Sequence, residues 1–240
     1  MRILAFETSA KAASVALMED GSLLAEAYQN AGLTHSRTIL SMAEHLLQSC
    51  DRTMGDVNAI AVAMGPGSFT GVRIGMAAAK GLAWGRELPL YGVSTLEAMA
   101  LGLGQLQGLV CPVMDARRSQ VYNALFRISG GTLTRLREDR AISIQALEED
   151  LQSLAEPVTL VGDGALLCRQ TMALPGERLL LAPEHRRHQR ASGVALAAWA
   201  AIQRGETGDA NSLQPNYLRL SQAERERLAR LQAAERKDHE

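Results

Sequence analysis

The chain has 240 residues, with 25 Lys and Arg against 26 Asp and Glu, a formal net charge of -1, 47% apolar residues and only 4% aromatics. A near-neutral chain of this kind excludes a protein that grips nucleic acid by itself, because phosphate neutralisation dominates that affinity. It leaves room for one large domain or two small ones, with a core built from Leu, Val, Ala and Met.

Cys50, Cys111 and Cys168 lie far apart with no Cys-x-x-Cys pair, so neither a disulfide framework nor a zinc knuckle is expected. The N-terminus meets a charge at Glu7, too soon for a signal peptide. No apolar run approaches the ~18 residues of a membrane span. A soluble cytoplasmic protein is expected.

In chain order, "RILAFETS" reads as a buried strand ending in polar residues, and "ASVALMED" and "SLLAEAYQ" as a hairpin turning at Asp20-Gly21-Ser22. "THSRTILSMAEHLLQSC" has helical spacing through Ile39, Leu40, Met42, Ala43, Leu46, Leu47 and Cys50, with Thr34 or Ser36 as cap. "VNAIAVAMG" is a short buried strand running into a glycine loop. "GVRIGMAAAKGLAWG" is a helix of small residues, "LPLYGVS" a strand and "TLEAMALGLGQL" a helix.

The second half, opening at "GLVCPVMDARRSQVYNALFRISGGTLTRLRE", repeats the plan of the first. Each copy has a strand ending in a carboxylate (Glu7; Asp115), a polar turn, a second strand, a glycine turn and a third strand. "SIQALEEDLQSL", "PVTLVGDGA" and "RASGVALAAWAAIQRG" follow as helix, strand and helix. This order predicts α/β architecture with mixed sheets: the duplicated actin-like ATPase fold with a truncated second half. The expected units are residues 1–105, residues 106–220 and a charged helical or frayed tail at 221–240.

"GPGSFTG" lacks both a P-loop ending and the Gly-x-Gly-x-x-Gly spacing. Its Gly65 and Gly67 fit a phosphate-facing helix N-terminus or a turn capped by Ser68 or Thr70, and both readings stay open. The next helix carries Gly71, Gly75, Gly81 and an alanine run, which invites close packing within the chain or against a partner. Glu7 and Asp115 sit where an actin-like enzyme places acids near metal and phosphate, or they merely cap turns. Asp163 is a third strand-end acid. Histidines occur only at 35, 45, 185, 188 and 239, with no His-x-x-x-His. The sequence shows no complete catalytic set, and "EHRRHQR" reads as a solvated loop.

"FETS" at 6–9, "GPGSFTGVRIGMAAAKGLA" at 65–83, "VMDARRSQVY" at 113–122 and "QPNYLR" at 214–219 together resemble the bacterial TsaB (YeaZ) family across nearly the whole chain. The resemblance implies a non-catalytic scaffold and activator subunit in tRNA N6-threonylcarbamoyladenosine formation. Such a subunit binds the transferase TsaD, is joined by the ATPase TsaE, and meets tRNA only through the complex. TsaD carries a His-x-x-x-His metal site that this sequence lacks.

The resemblance further implies docking through helices at 35–50 and 71–84, with His35, Ile39, Met42, Leu46, Arg73, Met76 and Lys80 as candidate interface residues. It implies no bound cofactor, save ATP or ADP at the joint surface with TsaD. Close-packing helices could also pair with their own copy, so a homodimer when the chain is alone stays open. Arg135, Arg137, Arg140, Arg186, Arg187 and Arg190 are candidate tRNA contacts in the assembly. The alternative from another class is an actin-like Mg-ATP hydrolase or phosphotransferase using Glu7 and Asp115.

Overall fold

The computed structural model describes residues 1–104 and 106–219; the expectation for the tail at 221–240 lies outside them. The first half runs β1 (Arg2–Glu7), β2 (Ala13–Glu19), β3 (Ser22–Gln29), α1 (His35–Ser49), β4 (Ala59–Gly65), α2 (Phe69–Trp84), β5 (Leu90–Ser94) and α3 (Thr95–Leu101). The second runs β6 (Gly108–Asp115), β7 (Gln120–Ser129), β8 (Thr132–Ser143), α4 (Ile144–Gln152), β9 (Val158–Val161), α5 (Ala165–Thr171), β10 (Leu179–Leu181), α6 (Glu184–Arg187) and α7 (Ala191–Gln203).

The sheets are ordered β3-β2-β1-β4-β5 and β10-β9-β6-β7-β8, so the second, reversed, repeats the first strand for strand. In each, three strands form an antiparallel meander, and the carboxylate-ending strand also pairs in parallel with the strand after the first helix. Even the hairpin turns correspond. Asp20 and Gly21 in one half, Gly130 and Gly131 in the other, both have positive φ, as tight two-residue hairpins require. This is the duplicated actin-like fold.

Two details depart from the sequence reading. The second copy keeps all five strands and is reduced in element length instead: α4 has 9 residues and α5 has 7, against 15 in α1 and 16 in α2. The elements α5 and β10 went unread because seven residues without a side-chain cap, and a three-residue strand, carry too little periodicity. The run "EHRR" also forms the short helix α6 rather than a loop.

Strand alternation sorts the first sheet's two faces. Leu4, Phe6, Val15, Leu17, Ile60 and Val62 pack beneath α1 and α2, against Ile39, Leu46, Leu47 and Met76. The opposite face carries smaller residues, Ala5, Ala16, Ala61 and Ala63, and receives Val194, Ala195 and Ala198 of α7. Alanine against alanine lets this late helix lie close. Gly193 is tight enough on α3 that a methyl group there would collide with the Ala98 carbonyl. Thus α7, distant in sequence, completes the core of the first half.

The glycine block joins β1 to α2. Side chains at Gly67, Gly71 and Gly75 would collide with Ser9 O, Thr8 O and Thr8 Oγ1 respectively. The gaps they leave admit three bonds: Ser68 N–H to Ser9 O (2.6 Å), Thr8 Oγ1 to Gly71 O (2.7 Å) and Gly71 N–H to the capping Ser68 Oγ (3.2 Å). At Gly65, φ is +111°, and a Cβ would lie 2.7 Å from Asn216 O. Each of these glycines is required by the chain's own backbone.

Gly81 differs, since a Cβ built there meets nothing within 4 Å. Gly71→Ala should therefore cost at least about 2 kcal/mol of stability by backbone overlap, whereas Gly81→Ala should add about 0.5–1 kcal/mol from helix propensity. Urea denaturation of the two variants beside the parent checks both signs.

Candidate functional site

Two surfaces merit description: the cleft between the halves, and the outer face of α1 and α2. The cleft is a cavity of about 790 Å³ bordered by the turn after β1 (Ser9, Lys11), the start of α2 (Ser68, Thr70), the end of β6 (Asp115, Arg117) and the C-terminal residues Tyr217 and Arg219.

The two strand-end acids, Asp115 on the cleft wall and Glu7 buried behind it, do the same job. Glu7 Oε1 accepts from Ser9 N–H at 2.6 Å, and Asp115 Oδ1 accepts from Arg117 N–H at 2.7 Å. Each carboxylate closes the turn two residues beyond it. Asp163 accepts from the Gln189 amide at 3.0 Å. Among the described residues, no three His, Cys, Asp or Glu side chains converge to hold a metal ion.

Burial dominates the electrostatics here. It pushes Glu7 up to about 7 against the opposing Ser9 hydrogen bonds, with Asp163 adding repulsion. Glu7 Oε2 is buried with no partner. Asp163 is also raised, first by burial and further by Asp115. Burial likewise pushes the free thiols Cys111 and Cys168 to about 12.

The outer face is built differently. Helices α1 and α2 lie side by side over one face of the first sheet. On α2, residues 73, 77, 81 and 84 share one stripe by helical spacing, and Arg73, Ala77, Gly81 and Trp84 are all exposed. Trp84 is 57% exposed, and on the neighbouring α1 Leu40 is 50% exposed. Two small residues flanked by Arg, Trp and Leu make a shallow apolar surface.

The expected interface residues divide. Ile39, Leu46 and Met76 are 1%, 5% and 5% exposed and belong to the core beneath the helices, so they are not part of an exposed seam. Both sides of α1 carry leucine, and period alone cannot say which leucine faces the sheet. Met42 is half-buried against the same core. His35 is half-buried, its Nε2–H donating to Ala10 O at 2.8 Å. Lys80 sits 5.7 Å from the Trp84 ring. Arg73 is exposed, its guanidinium 3.9 Å from the Phe69 ring centre, and its Nε–H donates to Tyr217 Oη at 2.8 Å. Of the exposed residues here, Leu40 and Trp84 lie outside the candidate interface set, whereas Gly81 and the alanine run already signal close packing, and the spacing Arg73-Ala77-Gly81-Trp84 places them on one stripe.

The arginine clusters serve the fold. Arg135 pairs with Asp139 (2.6 Å) and Glu97 (2.9 Å), Arg140 with Asp150, and Arg190 with Glu26 (3.1 Å). Arg137 lies 3.8 Å from Asp150. Arg186 and Arg187 donate to the carbonyls of Gly102 and Ala182. No cluster presents a row of unengaged guanidinium groups to a phosphate backbone.

Residues 29–227 match the family model described as "TsaD: tRNA N6-adenosine threonylcarbamoyltransferase". The chain is 34% identical to the tRNA threonylcarbamoyladenosine biosynthesis protein TsaB of Bacillus subtilis over 93% of its length and 96% of that protein. The chain belongs to the TsaB (YeaZ) family. It is 40% identical to the Escherichia coli TsaB over 68% of this chain and 72% of that one. YeaZ from Pseudomonas aeruginosa superposes with a TM-score of 0.75 at 27% identity, covering 90% of this chain and 99% of that one. TsaB membership places the chain in tRNA threonylcarbamoyladenosine biosynthesis and in partnership with TsaD in that pathway. Among the described residues, no helix is long and apolar enough to cross a membrane.

The Glu7 shift carries a testable sign. Its folded pKa of about 7 exceeds the ordinary value of 4.5, so between those values the folded chain holds a proton that the unfolded chain releases. Stability from this group is present below about pH 4.5 and is lost as pH rises towards 7. Glu7→Gln should remove that slope. Its stability relative to the parent should improve by about 3 kcal/mol between pH 4.5 and pH 8, read from urea melts across the range. A constant offset would show that Glu7 is not neutral in the folded protein.

Proposed function

We propose that this TsaB-family chain is the non-catalytic scaffold and activator subunit of the threonylcarbamoylation complex. It docks on a TsaD-like transferase through the outer face of α1 and α2, with a TsaE-like ATPase joining the assembly and tRNA engaged only by the complex. The observation that carries the docking surface is Gly81. A glycine inside an exposed helix costs about 1 kcal/mol relative to alanine, and among the described residues nothing needs its missing side chain. With Ala77 one turn away, Trp84 on the same stripe and Leu40 exposed on the neighbouring helix, the small residue suits the close approach of a second helix. Two helices from each partner supply the roughly 1,200–2,000 Å² of a stable interface.

The non-catalytic part of the reading draws on the cleft. Glu7 and Asp115, the acids that an actin-like phosphotransferase would need, each hold a turn amide of their own chain. Nucleotide, in this reading, enters at the joint surface with TsaD.

Light scattering of the chain mixed with its TsaD partner tests the proposal. Parent protein should give a heterodimer. Gly81→Arg should keep its fold and weaken the complex about 100-fold, near 3 kcal/mol, and Leu40→Glu should act in the same direction. Threonylcarbamoyl transfer should fall with occupancy and recover at higher subunit concentration. Unaltered binding by both variants would remove this face from the interface.

A further inference from the structure

The motif "QPNYLR" meets the docking face only through Arg73, and its last four residues make a dense set of contacts elsewhere. Asn216 N–H donates to Met64 O at the end of β4 (2.7 Å), and its carbonyl fills the space left by Gly65. Tyr217 stacks on Phe69 at the start of α2, with ring centres 4.5 Å apart and planes at 25°, and accepts from Arg73. Arg219 then crosses to the other half, donating to Ala116 O and, at 3.5 Å, to Arg117 O. Those carbonyls open the turn between β6 and β7, where Arg117, Arg118 and Ser119 all hold positive φ (64°, 57°, 55°). Three successive non-glycine residues in that region cost energy and need outside support, which Arg219 supplies.

The same segment divides the space between the halves. Asn216 and Leu218 wall both the 790 Å³ cleft and a second cavity of about 480 Å³ on its other side. The second cavity is closed at its far end by Arg135 of β8 bound to Glu97 of α3, and by Ser94 Oγ donating to Asp139 at 2.5 Å. The halves are therefore joined along α3 by a shared apolar core, in which Leu96 and Met99 meet Met114 and Phe126, with the ion-pair network at its rim, and across the cleft by residues 216–219.

We propose that residues 216–219 are a latch: they hold the two halves together across the cleft, and releasing Tyr217 and Arg219 lets the halves part about the Glu97–Arg135 edge, merging the two cavities into one groove. The inference is independent of what docks on α1 and α2.

Nitroxide labels on Ser41→Cys and Glu149→Cys, with Cys50→Ser, report the separation of the halves by double electron–electron resonance in the full chain. Both label positions are exposed on outer helices. The parent should give one narrow distance distribution, and Arg219→Gln and Tyr217→Ala a broader and longer one. Distributions that coincide with the parent's in both variants would overturn the latch.

Tyr217→Phe keeps the ring stack and loses only the Arg73 bond, so it guards against gross unfolding. Its amides at Ala116, Gln120 and Asn216 should exchange about tenfold faster with those of β1 and β6 unchanged. Equal acceleration everywhere, or none, would count against the proposal.

Discussion

The structure depends on one close approach, that of the Thr8–Ser9 backbone to the first two turns of α2. Gly67, Gly71 and Gly75 present backbone where any side chain would intrude, and the Ser68–Ser9 and Thr8–Gly71 bonds fill the space. That contact sets the height of α2 over β4. Through α2 it sets the neighbouring position of α1, and through the turn after β1 it fixes one wall of the cleft. A phosphate loop would leave such glycines open to solvent, and here the Ser9 and Thr8 carbonyls and the Thr8 hydroxyl occupy the spaces.

Duplication explains much of the rest. The same device, a strand-end carboxylate accepting the N–H two residues on, closes Glu7's turn and Asp115's turn, yet the environments diverge. Glu7 lies fully inside and is raised towards neutrality by burial, whereas Asp115 reaches the cleft. The duplicated motif thus carries one buried and one open acid at equivalent positions.

Much of this was legible in the sequence. The meander-helix-strand-helix plan, its repetition, the hairpin turns and the Ser68 cap followed from local chemistry, because period and turn residues speak for neighbours a few positions apart. The outer face was only half legible. Helical spacing names both sides of α1, and the choice between Ile39 and Leu40 is made by β2, which no local pattern contains. The elements α5 and β10 were too short to read, and the return of α7 to the first sheet is a long-range choice. Its alanine-rich face signals close packing without saying against what.

The contrast among the glycines of α2 separates what the fold needs from what lies beyond it. Gly71 and Gly75 face Thr8 and are explained by the chain itself, while Gly81, further along the same helix, faces open space with Ala77 and Trp84. Stability alone would replace Gly81 with alanine, since helix propensity favours that change and no contact opposes it. A position where folding physics and sequence disagree is where an external constraint is expected. Among the described residues, the contacts of α2 supply no such constraint at Gly81.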